Sequence, residues 1–152
     1  MRKLNFSEKN SLVLCSLKNL ILNMNEELIN IPIFPLNGAL LLPNSNFPLN
    51  IFENRYLSMV DYSLSKDKII GMIQFKTNDD DELYKIGCYG KITSFKETDD
   101  NRYLINLMGI GKFEIIEEIK TQEKFRICKV RKTNMEEYYV FNKKIFDKKL
   151  LI

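Results

Sequence analysis

No histidine occurs anywhere in the 152 residues, and that omission excludes more chemistry than any other feature of the chain adds. Histidine is the usual general base at neutral pH and the commonest metal ligand, so hydrolytic triads and His-containing zinc sites are ruled out. Cysteine is nearly as scarce: Cys15, Cys88 and Cys128 are odd in number, far apart and form no C-x-x-C pair. That usage fits reduced thiols in a cytosolic protein, with all three expected as small buried apolar groups. Charge of one sign is lacking too, since 23 basic side chains face 20 acidic ones for a net +3. Such a balance does not argue nucleic-acid binding from charge alone. Nor is there a membrane-length apolar run. The stretch SLVLCSLKNLIL is interrupted by Lys18 and Asn19 and falls short of the roughly 20 apolar residues that a bilayer requires.

That stretch follows MRKLNFSEKN, with Arg2, Lys3 and Lys9, and together they have the outline of a signal peptide. No small-residue cleavage site follows, however, and Leu14 is the wrong residue before Cys15 for lipoprotein processing. Residues 1–28 therefore read as a leader, disordered or helical, and Met24, just ahead of NEELINIPIFPL, is a second candidate start.

What the chain does have is 45% hydrophobic and 28% charged residues, an ordinary soluble composition with length for one core and not for two full domains. Its organising segment is IPIFPLNGALLLPNSNFPLNIFENRY, residues 31–56. Proline cannot donate to a sheet ladder, so Pro32, Pro35, Pro43 and Pro48 belong at strand beginnings, edges or turns. Residues 31–36 read as a strand, 39–42 as a second short apolar run bounded by Gly38 and Pro43, and 49–52 as a third. A helix should begin at Glu53 and Asn54, because Tyr56, Met59, Val60, Ser63 and Leu64 recur with helical spacing as one buried stripe. Ser65, Lys66 and Asp67 end it, and IIGMIQF, residues 69–75, returns as an apolar strand.

The KTNDDDE stretch lacks the alternating spacing of a calcium loop and reads as a solvated turn. From Leu83 the chain becomes a β meander. Residues 87–95 and 102–108 flank the turn Thr98-Asp99-Asp100-Asn101, and 112–119 and 124–130 supply two more strands. Gly109 and Gly111 are expected to bracket a tight connection; without a helix after it, this G-x-G is backbone geometry and not a phosphate site. Tyr138, Phe141 and Ile145 fall on one face of a C-terminal helix that finishes, uncapped, at Leu150, Leu151 and Ile152. Seven or so short strands and one inserted helix suit a small, partly open barrel around a single interior. Its core is expected from Ile33, Phe34, Leu36, Leu41, Ile51, Tyr56, Met59, Val60, Ile70, Met72, Ile92, Leu104, Ile105, Leu107 and Phe113.

From residue 31 to 131 the chain also resembles the Lon substrate-binding domain, the N-terminal domain of ATP-dependent Lon proteases, which occurs as a stand-alone bacterial protein as well. The matching pieces are IPIFPL with Pro35 and Leu36, then Leu42-Pro43, then Pro48-Leu49-Asn50-Ile51-Phe52-Glu53 followed by Arg55, Tyr56 and Met59. Ile70-Gly71-Met72, Gly87-Cys88, Gly90-Lys91-Ile92, Arg102-Tyr103, and Gly109 with Gly111 and Phe113 continue them in order. The resemblance implies an α+β, mainly β fold: a PUA-like six-stranded pseudo-barrel with one embedded helix over residues 29–132. It also implies that the family's helical subdomain is reduced here to a short C-terminal helical stub, residues 133–152, in a truncated member. Asn37 and Asn44 stand where the family often has other turn residues.

The function implied is binding without catalysis. Lon's chemistry resides in ATPase and Ser-Lys protease domains, and no G-x-x-x-x-G-K-[ST] loop occurs here. The expected ligand is an unfolded or extended polypeptide segment, in cytoplasmic protein quality control and in company with a Lon-type or other protease. Neither metal, cofactor nor membrane is expected. Candidate peptide-binding residues are Leu41, Leu42, Phe47 and Phe52, near strand edges that can accept an added strand. Glu53 and Arg55 are expected to serve the helix dipole and an ion pair with neighbouring strands. The alternative is a PUA-like RNA-binding module, in which a base stacks on Phe125 among Lys120, Lys124, Arg126, Lys129, Arg131 and Lys132. Nucleic acid remains the lesser expectation, because Glu117, Glu118 and Glu123 dilute the patch and a basic run is ordinarily a solvated face.

Overall fold

The computed structural model describes residues 5–22, 27–78 and 81–134; the expected C-terminal helix lies outside them. Helix α1 (Phe6–Leu22) lies within residues 1–28, the stretch expected as a leader. It starts at a reciprocal capping box, in which Glu8 N donates to Asn5 Oδ1 (2.8 Å) and Asn5 N to Glu8 Oε2 (3.1 Å). Strands β1 (Glu27–Pro35) and β2 (Asn46–Ile51) precede helix α2 (Asn54–Leu64), and β3 (Ile69–Ile73), β4 (Ile86–Glu97), β5 (Tyr103–Ile119) and β6 (Arg126–Asn134) complete the order. No described helix is long and apolar enough to cross a membrane.

The strands form a single sheet in the order β2-β5-β4-β3-β1-β6, and an additional β5–β6 pairing closes β5, β4, β3, β1 and β6 into a ring that leaves β2 as an edge strand on β5. Only β1 and β3 run parallel, Ile33 opposite Gly71, and the chain between them supplies β2 and α2 as the crossover. Register shifts at Tyr89/Gly90, Ile92/Ser94 and Ile115/Glu117 mark irregularities of the kind that bend strands around a closed sheet. The prolines occupy varied places. Pro35 ends β1, Pro43 sits in a turn and Pro48 lies on the edge strand β2, whereas Pro32 lies within β1, one residue before its ladder with β3 begins.

Helix α2 buries Tyr56, Met59, Val60 and Ser63, four of the five positions in the expected stripe. Ser63 is tolerated there because its hydroxyl donates to Met59 O at 2.9 Å. The interior is not single, as the sequence suggested. One cluster joins Tyr56, Met59 and Val60 to Phe34, Met72 and Cys88, and a second holds Ile33, Ile73, Tyr89 and Phe113. Neighbours in sequence go to opposite clusters (Ile33 and Phe34, Met72 and Ile73, Cys88 and Tyr89), as the pleat requires when both faces of a sheet are covered.

Four expectations are corrected. There are six named strands, because residues 39–42 form no ladder, and the only further pairing among the described residues is the bridge Phe75↔Leu83. Gly109 and Gly111 lie inside an unbroken β5. Leu104 is exposed because Ile105 faces the core, and adjacent strand residues cannot share a face. Cys15 is exposed, while Cys88 and Cys128 are buried.

Candidate functional site

The loop between β1 and β2 is fastened at both ends and open in the middle. At its start Leu36 N donates to Ile73 O (2.9 Å), Gln74 Nε2 to Ala39 O (3.2 Å), and Gly38 turns the chain at φ 72°. At its end Asn44 N donates to Gly109 O and Gly109 N to Ser45 O, both at 2.9 Å, while the Ser45 hydroxyl donates to Leu42 O at 2.6 Å. A Cβ added at Gly109 would overlap the Leu42 carbonyl, so this glycine serves a close backbone approach and not a turn. Between these fastenings, among the described residues, no hydrogen bond engages the backbone of Leu40 or Leu41.

The three leucines of NGALLLP consequently diverge. Leu41 is 2% exposed and packs in the cluster beneath α2, whereas Leu40 is 65% exposed and Leu42 is exposed as well. Facing this loop is the hairpin after β3, held by Phe75↔Leu83, by Tyr84 N donating to Gln74 O (3.0 Å) and by Lys76 N donating to Glu82 O (2.8 Å). Together they bound an open groove of about 550 Å³ with a largely apolar lining. Leu40 and Leu41 line one side, Met72 and Ile73 the floor, and Tyr84 and Ile86, 49% and 64% exposed, the other side. Lys76 and Lys85 also line it, Lys76 paired with Glu82.

Of the residues expected to bind peptide, Leu41 alone lines this groove; Phe47 is half-buried on β2 against the core, and Phe52 is exposed just beyond β2. The groove's other members, Leu40, Tyr84 and Ile86, were absent from the sequence reading. For Leu40 a signal was available in the period of two across ALLL, which sends every second side chain outward. The family-motif residues support the frame. Leu49 is buried on β2 and Asn50 exposed beside it; Leu36 packs half-buried against the core. At Gly71 an added Cβ would meet Ile31 Cδ1 at 2.8 Å, and at Gly87 it would overlap Met72 O. Glu53 is the N-cap of α2 but makes no side-chain cap bond. Its carboxylate instead accepts from Arg55 Nε at 2.9 Å, so the expected pair with neighbouring strands is replaced by one within the helix entrance.

Four of the six cations of the basic stretch are paired with carboxylates of the sheet. Arg126 donates to Glu118 twice (2.9 and 2.6 Å), Lys129 to Glu117 (2.9 Å), Arg131 to Glu114 (3.1 Å), and Lys132 pairs with Glu27. Phe125, expected to stack on a base, is buried with its ring 5.3 Å from that of Tyr62. The two buried thiols are no nucleophiles at neutral pH, since burial pushes both Cys88 and Cys128 up to about 11. Among the described residues no group of three or more His, Cys, Asp or Glu is placed to hold a metal ion.

Residues 30–149 match the family described as the ATP-dependent protease La (LON) substrate-binding domain. The chain is 28% identical over 110 residues to a Lon protease of Dictyoglomus thermophilum, covering 69% of this chain and 14% of that protein. It is 25% identical over 118 residues to a Lon protease of Flavobacterium johnsoniae, covering 74% of this chain and again 14% of the relative. It thus spans only a small part of the length of the curated relatives it matches. Among solved structures it resembles the Lon N-terminal domain protein from Xanthomonas campestris, with a TM-score of 0.59 and 23% identity over 70% of this chain and 60% of that one. The N terminal domain of the Mycobacterium avium complex Lon protease shares the fold at a TM-score of 0.58 and 11% identity, over 69% and 55%. A family match that runs from within β1 through β6 carries the conclusion that this chain belongs to the LON substrate-binding domain family.

Proposed function

We propose that this protein binds extended or unfolded polypeptide in the groove between residues 39–42 and the hairpin after β3, and that it does so without altering a covalent bond. The single observation that carries the reading is the open apolar wall: Leu40, Tyr84 and Ile86 stay exposed along one groove, beside a core whose apolar side chains pack into two buried clusters. Contiguous exposed apolar surface on a well-packed domain marks an interaction site. The unbonded backbone of Leu40 and Leu41 adds donors and acceptors that an extended segment can meet, as in strand addition. Family membership supports the same reading, with action in cytoplasmic protein quality control beside a Lon-type or other protease as its setting.

Titration calorimetry with a permanently unfolded model polypeptide tests this. Saturable binding that falls about tenfold in a Leu40→Glu, Ile86→Glu double variant is the expected result. No association, or binding indifferent to those two changes, overturns the assignment.

A further inference from the structure

A second cavity, of about 410 Å³, opens at the first turn of α2 and differs in character, being lined in near-equal parts by polar and apolar surface. Tyr56 forms one wall. It is 7% exposed, its ring is packed edge-on against Phe34 at 4.5 Å, and no hydrogen bond engages its hydroxyl among the described residues. A buried phenol ordinarily finds a partner; here the ring is buried, while the hydroxyl is not a buried atom and borders the open cavity.

The charges around it balance, Arg55, Lys124 and Arg126 against Asp81, Glu118 and the neighbouring Glu53, but not all of the hydrogen-bond donors are taken. The Arg55 guanidinium lies 4.5 Å from the centre of the Tyr56 ring. Glu53 holds its Nε at 2.9 Å, which fixes the plane and leaves the two terminal nitrogens uncommitted among the described residues. Lys124 lines the cavity without an ion pair among the described residues. Two carboxylates are present, but Glu118 is occupied by Arg126 through both oxygens, and Arg126 is held further by the Asp81 carbonyl at 2.7 Å. The charges not already paired among the described residues are therefore one of each sign, Lys124 and Asp81, and the uncommitted donors are the Tyr56 hydroxyl, the terminal nitrogens of Arg55 and the Lys124 ammonium. The N-terminus of α2, which has no side-chain cap, contributes a further partial positive charge.

We propose that this cavity is a carboxylate site and that it takes the C-terminal carboxylate of a polypeptide, one oxygen accepting from the Tyr56 hydroxyl and the other from the terminal nitrogens of Arg55. The assignment rests on the polypeptide-binding reading and adds to it a polar anchor. Groove and cavity flank the same hairpin, Gln74 and Lys76 lining the one and Phe75 the other. A free carboxylate or phosphate offers similar chemistry, and the test separates these sources.

The full chain is titrated with one apolar peptide in two forms, ending in a free carboxylate or in a carboxamide. The acid form is expected to bind about tenfold more tightly. Tyr56→Phe, which keeps the ring on Phe34, and Arg55→Gln should each narrow that gap and leave amide-form binding unchanged. Equal affinity of the two forms overturns the anchor and leaves polypeptide binding standing, whereas failure of both forms to bind overturns both readings. An acid-form preference undiminished in the two variants locates the carboxylate elsewhere and equally overturns the assignment. Acetate or inorganic phosphate alone, if bound as tightly as the acid-form peptide, gives the cavity to a free anion and removes the polypeptide terminus.

Discussion

The paired strands β5 and β6 and the groove beside Leu40 treat their conspicuous residues in opposite ways. On β5 and β6, Glu114, Glu117 and Glu118 meet Arg131, Lys129 and Arg126 across the ladder, so the strand portion of a stretch that looks strongly basic in sequence is matched charge for charge. At the groove, a run of leucines that looks like core in sequence sends one side chain inward and leaves its neighbours in solvent. The comparison teaches where to look for function in this fold: charge here is spent on pairing, while apolar surface is what remains uncovered.

The difference depends on the loop being held open, and Gly109 is where it can be broken most severely. Gly109→Ala puts a methyl group into the backbone carbonyl of Leu42, with no flexible side chain to give way. A loss of about 3 kcal/mol in urea unfolding is expected, at the upper end for overpacking. The same change at Gly38 meets nothing within 4 Å and strains only a φ of 72°; it should cost about 1 kcal/mol. Equal costs at the two glycines would mean that the loop is not pinned at its β5 end.

Each region also overlies a buried thiol, Cys88 beside the groove residue Gly87 and Cys128 on β6 among the paired charges. Burial is the main cause that pushes each up to about 11, from an ordinary value of 9, so the folded state retains a proton that the unfolded chain releases. Both contributions are fully present below pH 9 and are lost as pH rises through about 11. On the order of 2 kcal/mol per thiol is at stake across that window. Urea midpoints at pH 8 and pH 11 should differ less for a Cys88→Ala, Cys128→Ala double variant than for the parent; equal differences would show that neither thiol is sequestered. Alkylation of the native protein should modify Cys15 first, as the exposed one of the three.

At the groove itself, Leu40→Glu with Ile86→Glu should leave stability within about 0.5 kcal/mol, since both side chains already stand in water. A larger destabilisation would mean that these residues pack against something in the folded chain and are not an open wall.

Much of the frame was legible in sequence because it rests on local signals. The stripe from Tyr56 to Ser63 fixed α2, and Thr98 to Asn101 marked the β4–β5 turn, where Asn101 adopts φ 60° and Thr98 N donates to Arg102 O at 2.9 Å. What escaped were features set by partners distant in the chain. Gly109 reads as a breaker until the distant loop around Ser45 is seen against it. Leu104 and Ile105 look equally apolar until the β2 and β4 ladders choose which faces inward. The same limit hid the groove, because whether Leu40 or Leu41 turns to the core depends on the anchoring of residues 36–45 by β3 and β5.

The smallest expected effects lie on the charged strands. Lys129→Gln removes an exposed pair with Glu117 and should cost less than about 1 kcal/mol. Arg126→Gln removes a partly buried guanidinium that bonds Glu118 twice and the Asp81 carbonyl once, so it should cost more than Lys129→Gln does. If these strands are self-neutralised, neither change should alter retention on single-stranded RNA, and any retention should be weak with a shallow dependence on salt. A steep fall of RNA affinity with ionic strength, reduced by Lys129→Gln, would mean that the ion pairs open to admit phosphate and would return these strands to the list of binding surfaces.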